Sequence, residues 1–232
     1  MKPVNEKQDE IADDLQQKTI ADQNQAKMAP RRAAIVGILA IGVLYAFLPQ
    51  HLRVGPNWLL LAIEVVLLLP LIVSEWAGRR LPHITLRIFA MILLGVITLA
   101  LAVSIILLVI TLSNNKHPTA LLQSSVLLWI FNILVFALWY WEIDGGGPVK
   151  RHLAGHQAAD FMFPQQANGN DGSWAPHFLD YLFVAFTGAT ALSPTDTYPL
   201  TRPAKALMMM EAILSLAIIV LLVARAINIL GS

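Results

Sequence analysis

The chain has 232 residues, of which 56% are hydrophobic and 13% are charged, and it contains no cysteine. A soluble domain does not bury so large an apolar fraction, and the composition therefore predicts an integral membrane protein surrounded by the lipid bilayer. The lack of cysteine excludes disulfides, thiolate metal sites and cysteine nucleophiles, while a net charge of +1 gives no reason to expect nucleic acid as a partner.

The first region, residues 1–32, is polar and mixed in charge, with few apolar anchors. No small-residue cleavage pattern follows the first apolar run, so a secretory signal peptide is not predicted. We predict a mostly helical but loosely held segment, with disorder as the alternative.

Four apolar stretches then meet or approach the roughly 20 residues that a helix needs to cross a membrane. They cover residues 33–49, 57–77, 84–112 and 119–143. Because the connections between them are short and carry turn residues, neighbouring helices are expected to run antiparallel. The first three stretches form a predicted three-helix membrane region over residues 33–118.

The fourth stretch ends in the aromatic residues Trp139, Tyr140 and Trp141, which are typical of a membrane interface. Asp144 and three consecutive glycines follow, and they predict a firm end to the helix. The chain beyond them is polar, so residues 144–176 are predicted to form an extramembrane loop with room for one short helix.

Two apolar segments of unequal length complete the chain. Residues 177–192 number 16, roughly 24 Å as a helix, which is short for a span, whereas residues 204–230 form a full one. Residues 193–203 contain three prolines, so this backbone is not helical throughout and cannot face lipid. These features are typical of a re-entrant loop. The predicted fold class is all-α, a polytopic membrane protein with five spanning helices and one short re-entrant segment.

The last third of the chain contains a series of residues whose order and spacing are characteristic. Residues 180–187 read DYLFVAFT, and seven filter-equivalent positions follow: Thr190, Ala191, Leu192, Ser193, Pro194, Thr195 and Asp196. Further on come Pro199, the pair Ala204 and Lys205, Glu211, Ser215, and the pair Ala224 and Arg225. From Thr119 to its end the chain resembles the pore domain of potassium channels, with an outer helix, a pore helix, a T-T-V-G-Y-G-D filter and an inner helix.

The resemblance implies a channel-like pore domain over residues 119–232, assembled as a homotetramer that passes a monovalent cation. Potassium filters need glycines, whose backbone angles aim the carbonyl groups at the ion. Here Ser193 and Thr195 occupy both glycine positions, Pro194 replaces the tyrosine, and Ser215 replaces the hinge glycine of the inner helix. We therefore expect a pore that is weakly selective or not selective for potassium, with a non-conducting membrane scaffold or sensor as the alternative.

Basic residues flank the spans mainly on one side of the membrane. Lys27, Arg31, Arg32, Arg79, Arg80, Arg87, Lys150 and Arg151 lie there, against Arg53 and Lys116 on the other side. Because such residues stay cytoplasmic, the N-terminus and the loop 144–176 are expected inside a cell membrane, either inner or plasma. The re-entrant loop would then be cytoplasmic, as in ionotropic glutamate receptors, unless residues 177–192 cross as a short additional span.

Glu64 lies within the second span, where an ionisable group usually faces a protein interior or a water-filled cavity. One hypothesis makes it the titrating group of an ion or proton path, as in a transporter. The other pairs Glu64 with a polar residue such as Asn132 and places Glu75 at the interface beside Arg79.

Two further patterns have competing interpretations. In one interpretation, Glu211 and Arg225 mark the two ends of a pore-lining face of the last helix. In the other, Glu211 pairs at the membrane interface with Arg202 or Lys205. His152, His156 and Asp160 have a spacing that suits Zn²⁺ on a helix, although a solvated loop is favoured. The sequence carries no nucleotide-binding or hydrolase motif, so neither an enzyme activity, nor a catalytic residue, nor a metal or other cofactor is predicted.

Overall fold

The computed structural model describes residues 35–76, 83–111, 118–169, 174–190 and 196–230. Within these ranges it does not describe the side chains of residues 70–76, 83–84, 86, 111, 118–120, 225 and 228–230. The predicted polar segment 1–32 lies outside the described residues.

Helices make up most of the described chain. They are α1 (Ile35–Phe47), α2 (Leu59–Trp76), α3 (His83–Thr111), α4 (Pro118–Ile143), α5 (Pro148–Leu153), α6 (Phe178–Thr190) and α7 (Arg202–Leu230). Two short strands, β1 (Phe161–Met162) and β2 (Tyr198–Pro199), pair antiparallel. Each of the six predicted apolar stretches corresponds to a helix whose ends lie within a few residues of those predicted.

Three helical segments are long and apolar enough to cross a membrane: Arg87–Ile110, Leu121–Gly146 and Arg202–Ala224. They confirm the prediction of a membrane protein with transmembrane helices. Ile35–Phe47, Leu59–Leu69 and Phe178–Thr190 are shorter apolar helices, so the number of five crossings stays a prediction.

The predicted end of the fourth span is confirmed. α4 ends at Ile143, and residues Asp144–Gly146 form one 3-10 turn. Gly145, Gly146 and Gly147 have φ values of 61°, 78° and 99°, a region that side chains on the other residues disfavour. The short helix of the polar region is α5, which begins with Pro148, a residue well suited to a first helical turn.

α4 occupies the centre of the molecule because it is apolar on every side, as a helix covered all round must be. One face packs with α1 and α3, through residues such as Leu101 and Leu128, and α2 packs in turn on α3. The other face packs with α6, α7 and β1, through residues such as Phe136, Tyr181 and Ala204. The predicted three-helix region and the predicted pore domain therefore share α4 as a common wall.

α6 begins beside the end of α4 and stops about halfway along it. The Phe178 and Tyr181 rings lie 6.0 and 5.5 Å from the ring of Trp141. At the other end of α6, the Ala189 carbonyl accepts a hydrogen bond from Nε1 of Trp129 at 3.4 Å. Trp129 and Trp141 are separated by about 18 Å along a helix.

The chain on either side of α6 meets again in the strand pair. β1 precedes α6, β2 follows it, and Met162 lies opposite Tyr198 in the pair. The chain therefore enters between α4 and α7 as a half-length helix and is found again, at β2, on the side from which it entered.

The aromatic residues at the end of α4 have a different environment from the one predicted. Tyr140 and Trp141 are buried, because α6 and β1 cover them, and the indole of Trp139 donates to Thr98 Oγ1 at 2.8 Å. They contribute to the protein interior instead of a lipid interface.

Candidate functional site

A buried polar network, which we call the entry clamp, joins the end of α4 to the start of α6 and to the segment before α7. It consists of Asp144, Arg151, Asp160, Tyr181 and Thr201. Asp144 is its centre: Oδ1 accepts from the backbone N–H groups of Asp160 at 3.0 Å and Phe161 at 3.1 Å, and Oδ2 accepts from the Tyr181 hydroxyl at 2.5 Å. One side chain thus fixes both the β1 limb and the first turn of α6.

Arg151 is only 2% exposed and is the cation of the clamp. Its Nη1 donates to the carbonyls of Asp144 at 2.8 Å and Trp141 at 3.1 Å, and lies 3.8 Å from Asp144 Oδ2. The guanidinium also lies over the rings of Trp141 and Tyr181, at 4.8 and 5.1 Å, a favourable contact for a desolvated cation. From the sequence, Arg151 is one of the basic residues expected to set the orientation of the chain in the membrane. Its side chain instead lies inside the protein.

Asp160 connects the entry clamp to the chain that follows the re-entrant segment. Its Oδ2 accepts from the Gly145 N–H at 3.0 Å, its Oδ1 from the Thr201 hydroxyl at 2.6 Å, and its carbonyl from the Leu200 N–H at 2.8 Å. The chain entering α6 and the chain leaving toward α7 are thereby tied to the same carboxylate.

The zinc interpretation of the histidines fails on this geometry. α5 ends at Leu153, and the Asp160 carboxylate is engaged in the clamp, so Asp160 does not stack with His152 and His156. Across the described part of the chain, no group of three or more His, Asp or Glu side chains is arranged to hold a metal ion.

The two imidazoles nevertheless contact each other at the edge of the clamp. His152 Nδ1 lies 3.1 Å from His156 Nε2, so one ring donates and the other accepts. Burial, followed by the positive charges of His152, Arg151 and His177, lowers the pKa of His156. The pair therefore favours the form in which His156 is neutral.

The inner end of α6 is held by two side chains. The Ser215 hydroxyl of α7 donates to the Ala189 carbonyl at 2.5 Å, alongside the Trp129 indole of α4. Ser215, predicted at the position of a hinge glycine, thus forms a buried cross-connection between α7 and α6. Thr190, the first filter-equivalent residue, is the last residue of α6, and its hydroxyl donates back to the Phe186 carbonyl at 2.9 Å.

Glu211 of α7 is buried between α4 and α6. Its Oε2 accepts from the Tyr140 hydroxyl, its backbone carbonyl accepts from the Asn132 amide at 3.5 Å, and a Cβ placed on Gly188 would lie 2.8 Å from Oε2. The predicted interfacial pairing of Glu211 is therefore wrong, because its partner is Tyr140, whereas Arg202 and Lys205 are exposed.

The described residues include two of the seven filter-equivalent positions, Thr190 and Asp196. Ala191, Leu192, Ser193, Pro194 and Thr195 lie outside the described residues, as does the side chain of Arg225. Asp196, where the description resumes, is exposed. The pore-lining interpretation of these positions stays a prediction.

Glu64 of α2 has no exposed surface, and neither of its carboxylate oxygens has a side-chain hydrogen-bond partner among the described residues. The amide of Asn132, its predicted partner, donates instead to the Glu211 carbonyl. Glu64 faces Gly42 of α1. The predicted pairing of Glu75 with Arg79 lies outside the described residues.

Sequence reasoning did not identify the entry clamp. Asp144 served only as a helix-stop signal, Asp160 as a weak zinc ligand and Tyr181 as a pore-helix aromatic. A signal was present, because an acidic residue directly after a span and an arginine seven positions later are charges that an apolar surrounding forces to pair.

Comparison of the chain with protein-family models, with curated proteins and with solved structures finds no significant match. The function is therefore argued from the geometry of the described residues.

Proposed function

We propose that residues 119–232 form the pore domain of a cation channel in a cell membrane, with weak or altered selectivity toward potassium. The path of α6 carries this proposal. A half-length helix whose far end is held at mid-height by Trp129 and Ser215, and whose flanking strands pair with each other, has the outline of a re-entrant pore loop. If α6 served only to fill the helix bundle, the chain would not have to return to the face from which it entered.

The position at which α6 ends supports assembly into an oligomer. The last carbonyl groups of a helix have no partner within the helix, and hydrocarbon supplies none. Trp129 and Ser215 satisfy one of these carbonyls, that of Ala189. We propose that further copies of the chain enclose this end around a water-filled axis, as a homotetramer by analogy with potassium channels.

Uncovered apolar side chains on α6 and α7 support this assembly. They include Leu179, Phe183, Ile213, Leu216 and Val220, each more than half exposed. In the oligomer, neighbouring copies of the chain would bury part of this surface, and lipid would contact the rest.

Asp196 is the residue expected to favour cations. It is exposed, two positions before the strand β2, and four copies would form a ring of carboxylates of the kind that attracts cations to a pore. Thr190, Ser193 and Thr195 would supply the remaining polar lining, without the glycines that a potassium filter needs.

The complete topology is part of the same proposal. α1, α2, α3, α4 and α7 would cross the membrane, and α6 would enter and leave on one face, in a multi-pass protein of the inner or plasma membrane. The exposed Lys150 and the basic residues before α3 would keep that face cytoplasmic.

Single cysteines test this topology, since the chain has no native cysteine. Trp58, Lys150 and Tyr198 are exposed positions, and each would be replaced by cysteine in turn. An impermeant thiol reagent is expected to label positions 150 and 198 from the same side and position 58 from the other. Labelling of 198 and 150 from opposite sides would instead establish that α6 is part of a further crossing.

Asp196→Asn tests conduction in liposomes that contain the purified chain. Loss of the carboxylate ring is expected to lower cation flux severalfold, while Asp196→Glu, which keeps the charge, retains it. Cation flux in the wild type that Asp196→Asn leaves unchanged would remove Asp196 from the pore.

The rival function is a non-conducting scaffold or sensor that keeps the pore architecture. Pro194 and the two missing glycines favour it, because they remove the backbone geometry of a selective filter. A folded, crosslinkable oligomer that shows no flux for any monovalent cation would establish this rival.

A further inference from the structure

The membrane region in front of the pore domain contains a carboxyl group that the pore does not use. Glu64 lies in α2, five residues after the helix begins at Leu59, or about 7.5 Å along its axis. It is 0% exposed. Both carboxylate oxygens are buried without a side-chain hydrogen-bond partner among the described residues, and the polar group that faces them is the backbone of Gly42.

The packing of α1 against α2 leaves room for this carboxyl group. A Cβ on Gly42 would overlap Oε2 of Glu64 and would lie 3.0 Å from its Cδ and 2.7 Å from Cδ1 of Leu61. Any residue other than glycine at position 42 would therefore occupy the space of the carboxyl head. α1 and α2 therefore pack against each other with the Glu64 carboxyl group between them.

Three described polar side chains on the neighbouring elements bind other partners, while Arg53 Nε and Ser104 Oγ of α3 are buried without one. Arg53, in the connection between α1 and α2, donates through Nη1 to the Ala46 carbonyl at 3.4 Å. The Tyr45 hydroxyl of α1 exchanges hydrogen bonds with Val54. On α4, the Asn132 amide donates to Glu211. None of these groups compensates the Glu64 carboxyl.

An uncompensated carboxylate in an apolar interior costs several kcal/mol, and buried polar atoms without partners are rare in folded proteins. A cation bound to the acid removes this cost. A proton does so by neutralising the carboxyl group, and a small metal ion does so by pairing with its oxygens.

We propose that Glu64 binds an exchangeable proton between α1 and α2. The site lies outside the proposed pore domain and does not depend on it, so a chain that conducts nothing could still hold the proton.

Carbodiimide labelling tests this proposal on the full chain in liposomes. Dicyclohexylcarbodiimide partitions into the membrane and adds to protonated carboxyl groups there, and mass spectrometry of peptides locates the adduct. In sodium-free buffer at mildly acidic pH, we expect an adduct on Glu64. Labelling that NaCl leaves unchanged supports the proton as the occupant, whereas protection by NaCl but not by choline chloride would establish Na⁺ in its place and contradict the proposal.

An unlabelled Glu64 under these conditions, while added carbodiimide still modifies a proteolipid control in the same vesicles, overturns the proposal. The variant Glu64→Gln is expected to lose the adduct. Gly42→Ala, which fills the space of the carboxyl head, is expected to reduce labelling strongly. The matched variant Gly95→Ala, at a glycine of α3 with nothing within 4 Å of the added Cβ, is expected to label as the wild type does. Flux through the pore is measured separately, so its presence or absence does not affect this result.

Discussion

Asp144→Asn is expected to lower the free energy of unfolding by about 3–5 kcal/mol, the usual cost of leaving a buried charge without its partner. Asp144 accepts hydrogen bonds from Asp160, Phe161 and Tyr181. It is also the anion that accompanies the buried Arg151. An asparagine has the same shape but no charge, so Arg151 would stay desolvated and uncompensated.

Thermal unfolding of the purified chain in detergent, followed by tryptophan fluorescence, measures this loss. Asp196→Asn is the matched control, because it removes the same charge from an exposed position and is expected to change stability very little. Asp144→Asn combined with Arg151→Met should lose less than the sum of the single variants, since no lone charge remains. A loss below about 1 kcal/mol, typical of surface ion pairs, would contradict a structural role for the clamp.

Gly188→Val is expected to destabilise the protein by about 1–3 kcal/mol, as overpacking of a filled interior does, and to abolish cation flux. A Cβ at position 188 already lies 2.8 Å from Glu211 Oε2, and valine adds two methyl groups to it. α6 would have to move away from α7, which would break the hydrogen bond from Ser215 to Ala189. The filter-equivalent residues begin at the next position but one, and their placement depends on that contact.

Unfolding and liposome flux of the same preparations separate the two effects. Gly95→Val introduces the same side chain where the surrounding space is open, and it is expected to keep flux. Gly188→Ala should give an intermediate loss, because the Glu211 carboxyl can move by a few tenths of an ångström. Normal flux and stability in Gly188→Val would mean that α6 and α7 do not need close contact.

The positions of the helices could be predicted from the sequence because length and apolarity decide them. Each long apolar run must form a helix, since hydrocarbon offers no partner for unpaired backbone groups. The glycines after Ile143 and the prolines before Arg202 then set two helix ends. The half-length of α6 followed from the same argument, because its apolar run is too short to reach across.

The partners of the polar residues could not be predicted in the same way. Asp144 meets Tyr181 and Asp160 meets Thr201 only because the chain turns back at α6, and no periodicity within a helix encodes that turn. Burial of Tyr140 and Trp141 had the same cause. A run of aromatic residues has the same appearance at a lipid interface and under a re-entrant helix.

The two ends of α6 are attached to different parts of the molecule. At the N-terminal end of α6, the carboxylates of Asp144 and Asp160 connect α6 and the chain segments on both sides of it to the end of α4. At its tip, the Ala189 carbonyl accepts hydrogen bonds from Trp129 of α4 and from Ser215 of α7. Sliding of α7 along α4 would therefore pull these two donors apart, so at least one of the two hydrogen bonds to the tip of α6 would have to break.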